Sequence, residues 1–375
     1  MDEFSQVKDD KYYNDKILDL NMQLKKKNKE LANINNKYDE LKRVNRELLE
    51  KIDQNDNNAL LIKEVVENSK KQSLKLKKLE SHFLDYKKYS SDILTSYNKL
   101  FNTLFLFYDF EVKGLLKYNH LINQELLDFV VNVCNKYELD YWLDFGVLLG
   151  AVRHEGFIPW DDDVDLGMIR KDYDKFISVF DEEIKRNNLS DCIKTYHEIS
   201  KNKPLPIYQI FYMQFGSIIA GIDIFPYDFI ANTEGCNSKT YKKMQDSVNN
   251  NNRNGTPINV ALKEYLKEFN ISYDMENYII PGIEGPCNII PGYKFEIYET
   301  DKIYPLKSVK FQNKQYKCPN DTDYYLTKIY DNYLNIPKKV KHHHVRWRHL
   351  RKVENIEQIY ETNISKLHVI NESFY

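Results

Sequence analysis

The first 100 residues contain neither glycine nor proline, although the whole chain has 12 glycines and 11 prolines in 375 residues. Both residues weaken or break helices, so their absence favours long, uninterrupted helices. Apolar residues also recur there at heptad spacing, over 17–52 and, more weakly, over 62–100. We therefore predict a helical coiled coil over 1–100, with a break at the polar segment 53–58. The two helices could pair as a hairpin, but we favour a homo-oligomer that the coiled coil holds together.

The chain also lacks close cysteine pairs, long apolar runs and an excess of one charge. Its five cysteines form no Cys-X-X-Cys pair, which is typical of reduced cytosolic thiols rather than of a disulfide framework. No run approaches the ~20 apolar residues of a membrane span. The acidic N-terminus lacks the apolar core of a signal peptide, so we expect none. The formal net charge of −2 argues against a nucleic-acid partner. We predict a cytoplasmic protein, with a peripheral position at the inner membrane face as the alternative.

From about residue 101 the pattern changes to that of a globular domain with alternating helices and strands. Apolar periodicity predicts helices over 121–137 and 173–185 and a last helix over 324–337. Strands are predicted at 141–145, 164–169, 193–196, 207–214 and 218–224. The polar, asparagine-rich stretch 232–256 is typical of a mobile insertion.

Four aspartates fall within five consecutive positions, between apolar flanks. The alternation of a strand puts Asp163 and Asp165 on one face, about 6–7 Å apart at the backbone. Asp161 shares this face, whereas Asp162 points away. Carboxylates this close repel one another, and a bound divalent cation relieves the repulsion. This spacing predicts a site for Mg²⁺ or Mn²⁺, and a solvated acidic turn is the alternative.

The stretch from Gly146 to Asp165 carries a longer motif around these aspartates. It reads Gly-Val-Leu-Leu-Gly-Ala-Val-Arg-His-Glu-Gly-Phe-Ile-Pro-Trp-Asp-Asp-Asp-Val-Asp. This motif resembles that of the LicD family of phosphotransferases, which is related to the fukutin-type enzymes of animals. Two later segments, 221–226 (Gly-Ile-Asp-Ile-Phe-Pro) and 333–337 with the lysines and histidines that follow, also fit the family pattern.

The resemblance covers roughly 120–350 and implies an α/β fold, a nucleotidyltransferase-like mixed sheet with flanking helices. On this basis we predict a LicD-like catalytic domain over 121–350. A connector over 101–120 would precede it, and a C-terminal extension over 351–375 would follow. The family also implies transfer of a phospho-alcohol, often phosphocholine, from a CDP-linked donor to a glycan hydroxyl.

On this resemblance, the predicted catalytic residues are Asp163, Asp165 and Asp223. Together with Asp161 they are also the predicted metal ligands. Asp223 could instead take the proton from the acceptor hydroxyl. A helix cap or a buried salt bridge is the plainer alternative for Asp223.

Six further residues are predicted to meet the donor: Gly146, Gly150, Arg153, His154, Trp160 and His343. The glycines would let the backbone approach a phosphate, but turn formation or close packing would also explain them. The guanidinium of Arg153 matches phosphate geometry, or it pairs with the aspartates. His154 and His343 could contact phosphate. Otherwise His154 holds the loop, and His343 belongs to a solvated basic tail. Trp160 could stack on cytosine or on a quaternary ammonium, or pack in the core.

We therefore predict an enzyme, a metal-dependent phosphotransferase that moves phosphocholine or a related phospho-alcohol onto a cell-surface glycan such as lipopolysaccharide or capsule. It would release CMP. One rival is a true nucleotidyltransferase, which releases pyrophosphate. The other is a coiled-coil scaffold with a vestigial nucleotide site. Val147, which stands where the family commonly has a small hydroxyl residue, mildly favours the scaffold.

Overall fold

Most of the chain after residue 58 is described by the computed structural model. The described residues are scattered positions between 33 and 50, and then 59–107, 112–197, 207–253, 258–285, 294–334, 345 and 347–374. The contacts divide the chain into two compact units, 1–101 and 102–375. Most of the first predicted heptad register and His343 lie outside the described residues.

Most of the helix α1 (Ala59–Phe107) belongs to the first unit; it is a single helix of 49 residues, which covers the second predicted register. Seam residues such as Tyr86 and Ile93 are partly buried, whereas Leu74 and Leu84 on other faces are more than half exposed. The helical N-terminal region is consistent with the prediction, whereas pairing in a coiled coil and the homo-oligomer stay predictions. No helix in the described part of the chain is long and apolar enough to cross a bilayer.

The second unit alternates helices and strands along the chain. The helices are α2 (Leu115–Lys136), α3 (Phe145–His154), α4 (Arg170–Arg186), α5 (Ser238–Arg253), α6 (Ile258–Glu268), α7 (Thr300–Ile303), α8 (Thr322–Tyr330), α9 (Trp347–Leu350) and α10 (Ile356–Glu372). The strands are β1 (Trp142–Leu143), β2 (Val164–Ile169), β3 (Ile193–Tyr196), β4 (Tyr208–Gln214), β5 (Ser217–Ile230), β6 (Ile271–Ser272), β7 (Tyr278–Pro281), β8 (Tyr298–Glu299), β9 (Lys307–Phe311) and β10 (Lys314–Cys318).

The main sheet is mixed, in the order β1-β2-β5-β4-β3. Strands β2 and β5 are parallel, and the other described pairs in this sheet are antiparallel. The second half of β5 continues beyond β4 and pairs with β6 and β7, while β9 and β10 form a separate hairpin. The prediction of an α/β mixed sheet with flanking helices is therefore confirmed.

One face of the central strands forms the hydrophobic core. Leu166 of β2 and Ile222 and Ile224 of β5 are completely buried, and they share one cluster with apolar residues of α2 and α4. Helix α10 packs against α2 and contributes Tyr360 and Leu367 to the same cluster. Because side chains alternate along a strand, the residues between these core positions project from the opposite face. That face carries Asp165 and Asp223.

The prediction of a mobile insertion over 232–256 is wrong for residues 238–253, which form α5. Tyr241, Gln245 and Val248 lie on one side of this helix and are buried. The Asn237 side chain accepts hydrogen bonds from the Lys239 and Thr240 N–H groups (3.0 and 3.1 Å) and so stabilises the first turn. Three inward residues at helical spacing were enough to form a helix, although the rest of the segment is polar.

Two further predicted boundaries are wrong. The run predicted as a strand over 141–145 is a strand only at Trp142–Leu143, because Asp144 caps α3 and the helix begins at Phe145. The helix predicted over 324–337 ends at Tyr330, because Asp331 adopts a left-handed φ of 59°.

Candidate active site

The turn between β1 and α3 holds the start of a helix in a fixed position. The buried carboxylate of Asp144 accepts hydrogen bonds from the Phe145 N–H (2.8 Å) and from the hydroxyls of Tyr227 (2.7 Å) and Tyr325 (2.8 Å). Burial raises the pKa of Asp144 to about 6, and these three donors act against the rise. Phe145 has a φ of 36°, a conformation that is costly for a residue with a side chain. The hydrogen bonds of Asp144 therefore stabilise a strained turn.

This turn lies directly against the aspartates. The Asp144 N–H donates to the Asp165 carbonyl at 2.9 Å, which joins the turn to β2. A Cβ atom added to Gly146 would lie 2.6 Å from Oδ2 of Asp161. Because Gly146 has no side chain, the Asp161 carboxylate can approach the first turn of α3.

Asp161, Asp162 and Asp163 form a tight acidic group immediately before β2. Each offers one carboxylate oxygen, and these oxygens all lie within 4.8 Å of one another. Asp163 is 9 % exposed, Asp162 is completely buried and Asp161 is partly buried. The group is thus held mostly out of water at one end of β2.

Asp165 and Asp223 extend this group across the sheet. They are direct partners in the parallel pairing of β2 with β5. Neighbouring strands lie about 4.8 Å apart, so both side chains leave the same face side by side. The predicted ligands Asp165 and Asp223 therefore lie side by side on one face of the sheet, next to the group that contains Asp161 and Asp163 at the start of β2. Asp223 is not on the far side of the sheet from the others.

The electrostatics of these carboxylates favour a cation. Burial and then the charge of Asp163 raise the pKa of Asp161 well above its usual range. Burial, followed by the charges of Asp163 and Asp223, raises the pKa of Asp165 in the same way. Crowded carboxylate oxygens with partial burial are the ligand set that hard divalent cations prefer. The residues present therefore fit Mg²⁺ or Mn²⁺.

The sequence patterns did not predict two residues of the site. Gln209 of β4 donates from Nε2 to Oδ1 of Asp223 at 2.9 Å and so orients that carboxylate. Only the antiparallel register of β4 with β5 brings these two residues together. Asp144 was also missed, although an aspartate between Leu143 and Phe145 was a signal that could have found it.

The predicted donor-binding glycines differ in what surrounds them. Gly146 faces Asp161, as described, whereas a Cβ atom on Gly150 would lie 2.4 Å from the Gly156 carbonyl oxygen. The Gly156 N–H also donates to the Gly150 carbonyl at 3.3 Å. Close packing of α3 on this loop therefore accounts for Gly150.

The other predicted donor contacts lie along α3 and the loop after it. Arg153 donates from Nη1 to the Tyr333 carbonyl at 3.2 Å and from Nε to Nδ1 of His154 at 3.4 Å. Burial lowers the pKa of Arg153 to about 10. Burial and then the charge of Arg153 lower the pKa of His154 to about 4, so this imidazole is neutral near neutral pH. Trp160 is partly buried and packs against the core. Contacts of these three residues with a donor stay predictions.

We expect replacement of Gly146 by alanine to impair activity more than stability. Gly146 does not adopt the left-handed φ that favours glycine, and the clashing atom is the end of the movable Asp161 side chain. Moving that carboxylate by about 1 Å would lower turnover about 100-fold. Turnover and melting temperature of Gly146→Ala would be measured together.

The matched control is Gly150→Ala, whose new methyl group meets backbone instead. Because the Gly156 carbonyl cannot move without the loop, this variant should lose about 1–3 kcal/mol of stability. Similar losses of melting temperature in both variants would contradict the assignment of Gly146 to the site.

The chain is similar to known proteins in the part that carries these aspartates. Residues 138–251 match the family model described as LicD/FKTN/FKRP, nucleotidyltransferase domain. The lipopolysaccharide cholinephosphotransferase LicD of Haemophilus influenzae is 24% identical over 276 residues, which are 62% of this chain and 97% of that protein. Human ribitol 5-phosphate transferase FKRP is 49% identical over 49 residues, 13% of this chain and 10% of that protein.

A third relative is the uncharacterized protein RT0683 of Rickettsia typhi. It is 30% identical over 125 residues, which are 32% of this chain and 38% of that protein. The matched family region, 138–251, contains Asp144, the aspartate group before β2, Asp165 and Asp223. The resemblance that the motif from Gly146 to Asp165 indicates is thus confirmed: this part of the chain is similar to the nucleotidyltransferase domain of LicD-type proteins, and the similarity supports the prediction of a phosphotransferase enzyme.

Proposed function

We propose that this enzyme transfers a phospho-alcohol from a CDP-linked donor to a hydroxyl group of a cell-surface glycan and releases CMP. The observation that supports this most is the pairing of Asp165 with Asp223 beside the acidic group at 161–163. Phosphocholine is the first candidate, because LicD of Haemophilus influenzae, 97% of whose length this chain matches, is a cholinephosphotransferase. Ribitol phosphate is the second candidate, from the shorter match to FKRP.

The site suits transfer from a diphosphate linkage. The negative charge of such a donor repels an incoming hydroxyl oxygen, so catalysis consists mainly of positioning and charge neutralisation. Asp161, Asp163 and Asp165 would hold Mg²⁺ or Mn²⁺, and Asp223 either completes this set or acts as the base. A bound cation of this kind neutralises the phosphate oxygens. The backbone N–H groups in the first turn of α3, beside Asp161, point to where an anion can bind.

We assign Asp223 to the acceptor side of the site. Its carboxylate projects from the same face of the sheet as that of Asp165, is mostly buried and is oriented by Gln209. The same cross-strand row continues to Tyr196, an exposed aromatic residue of the edge strand β3. An acceptor sugar that approaches over β4 would bring its hydroxyl to Asp223. Asp223 then takes the hydroxyl proton while the oxygen attacks the phosphorus distal to the nucleoside, the bond between the two phosphates breaks and CMP leaves.

The test is to incubate the purified protein with Mn²⁺ and either CDP-choline or CDP-ribitol, with and without oligosaccharide acceptors, and to measure CMP. We expect CMP release that needs the metal and stops when EDTA removes it. Release of pyrophosphate from CTP, with no CMP from either donor, would favour the nucleotidyltransferase instead. If calorimetry detects no binding of cytidine nucleotides, the scaffold is the better description.

A further inference from the structure

Three polar side chains near the start of α2 bind the main chain around the aspartates. Asn123 donates from Nδ2 to the Asp162 carbonyl at 3.0 Å, and its Oδ1 accepts from the Gly221 N–H at 2.9 Å. Gly221 lies two residues before Asp223 on β5. One buried amide therefore joins the loop that carries the acidic group to the strand that carries Asp223.

Asn119 and His120 strengthen the same connection. Asn119 donates from Nδ2 to the Ile219 carbonyl at 2.9 Å and to the Asp162 carbonyl at 3.4 Å. Nε2 of His120 lies 2.8 Å from the Asp161 carbonyl oxygen. Burial lowers the pKa of His120 to about 4, so the ring is neutral and donates one N–H to this carbonyl. Polar groups so deeply buried would be costly without these partners.

The side chain of Asp162 has a different environment from those of its neighbours. It is completely buried, and Oδ2 accepts a hydrogen bond from the Val345 N–H at 3.2 Å. One Asp162 oxygen also lies within 4.8 Å of oxygens of Asp161 and Asp163, so its position alone would allow a role as a ligand. Its burial and its main-chain partner favour a structural role instead.

We propose that Asn123, Asn119, His120 and Asp162 form a positioning frame that holds the metal-binding carboxylates of Asp161 and Asp163 in place, and that Asp162 is not itself a ligand. The frame joins α2, the acidic loop, β5 and Val345 through hydrogen bonds to main-chain atoms. Residues that orient metal ligands typically change metal affinity or activity by 10–100-fold when they are replaced. This inference rests on the metal site of the proposed function.

The first test compares two buried asparagines of the same helix by Mn²⁺ binding, measured by electron paramagnetic resonance. Asn123→Leu should weaken Mn²⁺ binding by about 10–100-fold. The control is Asn132→Leu, which also removes a buried amide, since Asn132 is 6 % exposed and donates to Asn371 at 3.3 Å. We expect this control to lose stability and to keep the Mn²⁺ affinity. Equal affinities in the two variants would overturn the frame.

A second pair keeps the test valid if Asn123→Leu does not fold. His120→Gln can still donate one N–H to the Asp161 carbonyl, whereas His120→Leu cannot. The frame predicts that glutamine restores most of the Mn²⁺ affinity that leucine loses. Equal affinity in the two variants would show that His120 only fills space and would remove it from the frame.

A third comparison tests the role of Asp162. Asp162→Asn keeps an oxygen that accepts from Val345, so Mn²⁺ binding should weaken less than about tenfold, whereas Asp163→Asn should weaken it by about 100-fold or more. Equal losses would make Asp162 a ligand and contradict the proposal. If the unaltered protein binds no Mn²⁺, the metal site fails and the frame fails with it. If it binds Mn²⁺ and Asn123→Leu binds equally, only the frame fails.

Discussion

Replacement of Asp163 by asparagine is expected to abolish phosphotransfer while the protein stays folded. Asp163 is the member of the acidic group whose charge raises the pKa of both Asp161 and Asp165. Its loss removes a ligand from the centre of the site, and the effect should exceed the 10–100-fold typical of residues that only orient a ligand. We expect CMP release to fall by about 1,000-fold or more, measured with CDP-choline and Mn²⁺.

The melting temperature of Asp163→Asn should stay the same or rise, because the change relieves repulsion among crowded carboxylates. Asp191→Asn is the matched control, since Asp191 is an exposed aspartate outside the site. It should leave both turnover and stability unchanged. If Asp163→Asn forms product at the rate of the unaltered protein, the assignment of the site is wrong.

Arg170 is the centre of a second charged cluster, at the other end of β2 and β5. It is 4 % exposed and forms paired hydrogen bonds with both oxygens of Asp228 (2.8 and 3.1 Å) and of Glu284 (2.6 and 2.8 Å). Tyr265 adds a hydroxyl donor to Asp228 at 2.7 Å. The cluster joins the first turn of α4 to the second half of β5 and to the turn at 282–285. One guanidinium is thus paired with two buried carboxylates.

We therefore expect Arg170→Met to destabilise the catalytic unit severely. Two carboxylates would stay buried without their cation, and removal of one partner from a buried ion pair costs about 3–5 kcal/mol. Because domains of ordinary stability have only about 5–15 kcal/mol in total, the variant should melt far below the unaltered protein or fail to fold. Urea unfolding followed by circular dichroism would measure the loss.

Arg186→Met is the control for this prediction. The Arg186 side chain is 57% exposed, and its partner Glu183 keeps hydrogen bonds from Lys136 and Tyr137. Because the Arg186 side chain is mostly in solvent and the buried Glu183 carboxylate stays paired with Lys136, the control should lose no more than about 1 kcal/mol of stability. A loss below about 1 kcal/mol in Arg170→Met would show that the cluster does not hold these elements together.

Local sequence pattern was sufficient to predict the bounds of a strand where the residues of that strand alone determine them. The strands at Val164–Ile169 and Ile193–Tyr196 have the predicted bounds, because short runs rich in apolar, β-branched or aromatic residues between turn residues mark them. The prediction for β5 stopped at 224, although the strand continues to Ile230. The charge of Asp228 is unfavourable in a buried strand, and it is tolerated only because the distant Arg170 neutralises it.

The residues of the site likewise fall into those that local sequence pattern predicts and those that it does not. The proximity of Asp161, Asp163 and Asp165 follows from their alternate positions in the chain just before β2 and at its start. The approach of Asp223 depends on the parallel register of β2 with β5, which local pattern does not determine. Only the family resemblance indicated that Asp223 belongs to the site. The contacts of Gln209 and Asn123 are long-range hydrogen bonds to other strands and loops. No periodicity or spacing marks such contacts, so they had to be found in the folded protein.

The proposed transfer is tested most directly by an isotope experiment that identifies which phosphorus atom of the donor is attacked. The protein, Mn²⁺ and CDP-choline would react in water labelled with a heavy oxygen isotope, with water in place of the glycan hydroxyl. Mass spectrometry would then locate the label in the two products. Transfer of the phospho-alcohol predicts labelled phosphocholine and unlabelled CMP, and labelled CMP with unlabelled phosphocholine would contradict it.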